Sequence, residues 1–190
     1  MRIMILSTLV SCMLLVSACS SAPSSSLIVT YTPLPTQTPS PPSSYQVTLH
    51  ALNNSGVAGN VALRLSGTTL QVTLHVTGLE PNQVHMQHIH GDSVHQSACP
   101  TPADADSAGI ITVATTLQKA GPVAVDLVPY PAADAHGTVD WSQSINLERA
   151  NIQGTPPLTQ FVVVIHGMTY HGVYDGTFVV ACGAITTAGA

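Results

Sequence analysis

The stretch Val84-His85-Met86-Gln87-His88-Ile89-His90-Gly91-Asp92 places three histidines within six residues, and Cys99 follows nine residues after His90. Side chains alternate between faces along a β-strand, so Met86, His88 and His90 share one face and His85, Gln87 and Ile89 the other. Two imidazoles at i and i+2 stand about 7 Å apart along a strand, near enough to clamp one metal ion. A second arm is Phe161-Val162-Val163-Val164-Ile165-His166-Gly167, an apolar run ending on a histidine, and Ala181-Cys182-Gly183 offers a partner for Cys99. Nine histidines outnumber four Lys plus Arg. That excess points to metal or pH chemistry rather than to salt bridges.

The elements that must position these residues read as short strands. Charged residues make up 7 % of the 190-residue chain and aromatics 4 %, while β-branched residues abound, which favours an all-β protein. Tyr45–Leu52 is a first strand, turned by Asn53-Asn54-Ser55-Gly56. Val57–Ser66 is a second, with Val61, Leu63 and Leu65 on one face, and Gly67-Thr68 signals a hairpin. Leu70, Val72, Leu74 and Val76 then alternate with polar residues, the pattern of a half-buried strand. His50 and His75 fall on polar faces and are read as solvent-facing, without a role. Gly91 to Ala108 is a polar loop, and its Asp104 and Asp106 are too few to build a calcium site. Gly109–Thr116 and Pro122–Val128 are expected as further strands, Pro129 to Asp140 as a loop holding His136, and Ile145–Ile152 as a possible helical turn. Leu158–His166 and Val173–Ala181 close the set. About eight short strands with long connections predict a Greek-key β-sandwich or flattened barrel.

The N-terminus reads as an export signal. Arg2 precedes an apolar stretch from Ile3 to Val16 that is short for a membrane span and ends on small residues. Val16-Ser17-Ala18-Cys19 resembles the bacterial lipobox, in which the cysteine is acylated; the alternative is an ordinary secretory leader with an incidental cysteine. Residues 1–18 are thus expected as a lipoprotein signal peptide and Cys19 as a lipid anchor at the extracytoplasmic face of a membrane. Residues 19–44, rich in Ser, Thr and Pro, are expected as a spacer, and residues 45–190 as the folded domain. Loss of Arg2 leaves three cations against nine acids, a formal charge of −6, which excludes nucleic acid as a ready partner. Cys12 departs with the leader and Cys19 is committed to lipid. Cys99 and Cys182 then remain in an oxidising compartment and are expected as a disulfide; a thiolate ligand is the other reading.

His85-Met86-Gln87-His88-Ile89-His90, with Cys99 nine residues on, resembles the copper strand and disulfide loop of the copper/zinc superoxide dismutases. Phe161–His166 resembles that family's later strand ending on a copper histidine, and Ala181-Cys182-Gly183-Ala184-Ile185 its closing segment. A nearer likeness is to the CHRD domain of exported bacterial proteins, which shares the dismutase-like sandwich and in which Gln-His-Ile-His-Gly and Val-Val-Val-His-Gly stretches recur. The resemblance implies His88, His90 and His166 as copper ligands and His85 as a structural histidine. Three imidazoles suit copper, with each second ring nitrogen oriented by a carbonyl or an acid.

The chain departs from the enzymes in three respects. No histidine lies between Pro100 and Ala108 to bridge copper to zinc, and the zinc ligands have no secure counterpart, although His95 or His136 could approach the site. Val179 stands where the enzymes place an anion-attracting arginine. The stretch between His166 and Cys182 is shorter. Three readings follow: a dismutase-like copper protein acting weakly on superoxide, a CHRD-type binding or adhesion module whose histidines serve the fold, and a copper buffer in which Met86 adds a soft ligand.

Overall fold

The computed structural model describes residues 43–92, 94–150 and 157–189. The expected leader, Cys19 and the spacer up to residue 42 lie outside the described residues. Among the described residues nine strands form: β1 (Ser43–Ala51), β2 (Ala58–Ser66), β3 (Thr69–Thr77), β4 (Gln87–His90), β5 (Val123–Asp126), β6 (Val139–Asn146), β7 (Val162–Tyr170), β8 (Val173–Ala184) and the short β9 (Thr186–Thr187). They pair in the order β5-β4-β7-β8-β1-β2-β3-β6, with β9 on β1, and every pairing is antiparallel. The β3–β4 and β5–β6 connections cross between the two halves of this curled sheet, giving the all-β Greek-key architecture expected from the sequence. No helix among the described residues is long and apolar enough to cross a membrane.

Alternation explains how the sheet closes on itself. Leu70, Val72, Leu74 and Val76 of β3 are buried while their neighbours are exposed. They meet Val47 and Leu49 of β1, Val61 and Leu63 of β2, and from the other half Ile89, Val125, Phe161, Val163 and Ile165. Strand β7 is apolar without alternation because both its faces are covered. Val163 and Ile165 enter this main core, whereas Val162 and Val164 join Leu52, Ile111, Ala120, Val179 and Cys182 in a smaller cluster on the opposite face. Cys99 and Cys182 are disulfide-bonded, with Cα atoms 5.7 Å apart, and tie the loop after β4 onto β8.

Two expectations need correction. The segment expected as a strand at Gly109–Thr116 instead leads into a helix, α1 (Val113–Ala120). Its β-branched residues suggested a strand, but Thr112 caps the helix by accepting from the Thr115 amide at 3.1 Å, and Gly121 ends it at φ +83°. Thr116 and Ala120, one turn apart, are buried. Lys119 pairs with Asp104 at 2.7 Å, which ties the polar loop to α1. The second correction is β6, a strand where a loop and a possible helical turn were expected. Only Val139 is fully buried, with Trp141 and Ile145 half-buried, so this edge strand carries weak apolar alternation. The turn follows it as a single 3₁₀ turn, Leu147–Arg149. His75, read as lacking a role, faces Asp140 across the β3–β6 pair at 2.7 Å.

The β1–β2 turn is pinned by the side chains of Asn53 and Ser55, the Ser55 hydroxyl donating to the Val180 carbonyl at 2.7 Å. Asn53, at φ +53°, donates from Nδ2 to the carbonyls of Ile111 and Val179 and accepts from the Ile111 amide, at 2.8–2.9 Å. Asn53→Ala removes all three bonds and is expected to cost about 2 kcal/mol, read as a lowered denaturant midpoint. An unchanged midpoint would show the peg to be dispensable.

Candidate metal centre

The face of β4 opposite the main core carries the site. His85, Gln87 and Ile89 point inward and are buried, while His88 and His90 lie on the other face, as the alternation predicts. In the β4–β7 register His88 faces Val164 and His90 faces Val162, so His166, two residues beyond Val164, belongs to the same face. Register shifts bracket His166, and Gly167 follows at φ +107°. The extra residues at these shifts lie on β8, opposite His166, and the His166 amide donates to the Met86 carbonyl at 2.9 Å. A ring nitrogen from each of His88, His90 and His166 lies within 4.8 Å of the others.

Hydrogen bonds decide which nitrogens are free. His90 Nδ1 lies 2.9 Å from the Gly121 carbonyl and His166 Nδ1 lies 2.8 Å from the Thr177 carbonyl. A carbonyl only accepts, so both Nδ1 atoms carry the proton and both Nε2 atoms present a lone pair. His88 is turned the other way: Nε2 lies 2.9 Å from the Tyr130 hydroxyl and Nδ1 lies 3.3 Å from His166 Nε2. His90 Nε2 is fully buried and, among the described residues, is the one buried side-chain polar atom without a partner. Leaving such an atom unmatched costs about 1–3 kcal/mol unless something fills the gap. A cation would match it, and the His88–His166 spacing suits two ligands about 2 Å from a common ion.

Electrostatics agree. Burial lowers the pKa of all three histidines, assisted at His88 by His90, and at His166 by both other rings, where it falls to about 4. The trio is therefore neutral at pH 7 with its lone pairs available. Because the folded pKa lies below the unfolded value near 6.5, the unfolded chain binds protons first as pH falls. For His166 the neutral fold's advantage is complete above about pH 6.5 and is lost down to about pH 4, roughly 3 kcal/mol in all. Metal-free protein is expected to show a urea midpoint that is level above pH 7 and drops through this window. A midpoint unchanged between pH 7 and pH 4.5 would contradict the assignment.

The other sequence candidates sit elsewhere. His85 is buried between the carbonyls of Glu80 and His166, at 3.0 and 2.9 Å, and packs edge-on to Tyr174, outside the converging trio. His95 is exposed on Asp92 at 3.1 Å, and His136 is exposed with its amide on Asp134. Neither belongs to the converging group. Met86 is half-buried just before β4. Sequence reasoning missed Asp126 and Tyr130, which contact His88 from β5 and the loop after it. Burial raises the Tyr130 pKa, and Asp126 raises it further, so the phenol keeps its proton.

No family model and no curated protein matches the sequence. Among solved structures the chain is similar to Candida albicans superoxide dismutase 5 in its Cu(II) form. The two are 15% identical, with 77% of this chain and 93% of that one covered and a TM-score of 0.46.

Proposed function

We propose that the chain is a lipid-anchored extracytoplasmic protein of the CHRD or dismutase-like kind that binds one copper ion through His88 Nδ1, His90 Nε2 and His166 Nε2. The observation carrying this reading is the buried, partnerless His90 Nε2 beside the lone pairs of the other two rings. Three neutral nitrogens suit copper, including its reduced, three-coordinate state. The fourth donor and bridging histidine that a zinc centre would want are not supplied by His95 or His136, which stay at the surface. Bound copper would supply one-electron chemistry. The chain's own residues would hold it neutral-ligated and half-enclosed, with α1 fixing His90 through the Gly121 carbonyl.

Holding copper fits these surroundings better than fast turnover of superoxide. Asp126 lies 3.4 Å from His88 Nε2, and Asp175 acts on His166. Buried Val179, the register partner of His166, occupies the place that the resemblance gives to an anion-attracting arginine. Negative charge attracts a metal cation and repels an anion, and such steering changes on-rates by about 10- to 1,000-fold. The copper-loaded chain should therefore remove superoxide slowly, and added salt should raise the rate by screening the repulsion. A fast reaction that slows with salt would contradict this reading. A chain whose Cys19→Ser variant fractionates with the membrane just as the wild type does would contradict the anchor.

A further inference from the structure

His88 has two ways to place its single ring proton, and they have opposite consequences. With the proton on Nε2, Nδ1 offers a lone pair to the site. With the proton on Nδ1, that nitrogen donates to His166 Nε2 only 3.3 Å away, and one internal bond consumes the lone pairs of two ligands. The ring alone does not choose between these tautomers. Its neighbours do.

The Tyr130 hydroxyl lies 2.9 Å from His88 Nε2 and 2.5 Å from Asp126 Oδ1. A carboxylate only accepts, so the phenol gives its proton to Asp126 and its oxygen is left to accept from His88 Nε2. Both partners are held independently of the ring. Asp126 is the register neighbour of His88 across the β4–β5 pair, and the Tyr130 loop is pinned where Trp141 Nε1 donates to the Pro129 carbonyl at 2.9 Å.

We propose that Asp126 is a positioning residue which, by setting the direction of the Asp126–Tyr130–His88 hydrogen bonds, keeps His88 in the Nε2–H tautomer and so keeps the site open to a metal ion. The tautomer rests on the geometry alone; its consequence for copper rests on the function proposed above. Losing the carboxylate frees Tyr130 to donate to His88 Nε2, and the trio then closes by the His88–His166 bond. Losing only the phenol ring's hydroxyl leaves Asp126 Oδ1 3.4 Å from Nε2, close enough to keep the tautomer.

The test uses the full-length chain in detergent micelles, stripped of metal at neutral pH, with ¹⁵N-labelled histidine. Ring nitrogen shifts should show Nε2–H at His88 and Nδ1–H at His90 and His166. Asp126→Ala should move His88 to Nδ1–H, whereas Tyr130→Phe should not. Against a Cu(I)-buffering chelator, Asp126→Ala should bind Cu(I) about 10- to 100-fold more weakly, and Tyr130→Phe within a few-fold of wild type. Wild-type protein already in the Nδ1–H form at His88 would overturn the proposal without any variant having to fold. So would Asp126→Ala protein that keeps Nε2–H, or that shifts tautomer and still binds Cu(I) like wild type. Wild-type protein with the expected tautomers that takes up no Cu(I) would support the positioning role and sink the copper reading.

Discussion

Replacing Cys99 and Cys182 together by alanine is expected to destabilise the chain by roughly 4.5 kcal/mol. The bond closes a sequence separation of 83 residues, and the chain-entropy relation gives that magnitude for releasing such a loop in the unfolded state. Against the 5–15 kcal/mol typical of a domain, the loss is severe. The effect also reaches the site. The bridge anchors the loop after β4, whose Ala98 amide donates to the Lys119 carbonyl near the end of α1. Gly121, which ends that helix, holds His90. Urea unfolding with and without reductant measures it directly, and a difference below about 1 kcal/mol would show that the bridge is peripheral.

Gly167→Ala is expected to cost about 4 kcal/mol for a single methyl group. Gly167 adopts φ +107°, where side chains are strained, and an added Cβ would run into the Tyr174 hydroxyl and His85 Nδ1. Strain of this kind and overpacking each cost about 1–3 kcal/mol. Both neighbours are themselves anchored, Tyr174 on the Val84 carbonyl and His85 on the carbonyls of Glu80 and His166, so neither yields freely. Because Gly167 directly follows His166, opposite the bulged stretch of β8, the variant should also weaken metal binding. A variant with wild-type stability and affinity would mean that the backbone at Gly167 is not what aims His166.

Period-two alternation made much of this legible in the sequence. It identified β3 residue by residue and assigned His88 and His90 to one face and His85 to the other. The unbroken Phe161–Ile165 run marked a strand that delivers His166 at its end, and the cysteine count left one pair to join. What was not legible depends on tertiary context. The β-branched residues of α1 fold as a helix because Thr112 caps it and because Thr116 and Ala120 have a surface to cover. Strand β6 is polar because it is an edge and needs few buried residues. Tyr130 and Asp126 gave no sequence signal, since they meet His88 only across a strand pair and a folded-back loop.

The most direct test is the copper and zinc content of the purified full-length chain beside a His88→Ala/His90→Ala variant. One copper per chain, absent from the variant while its fold by circular dichroism is unchanged, is the predicted result. No metal in either protein would contradict the account, leaving the three histidines as a buried cluster that serves the fold alone.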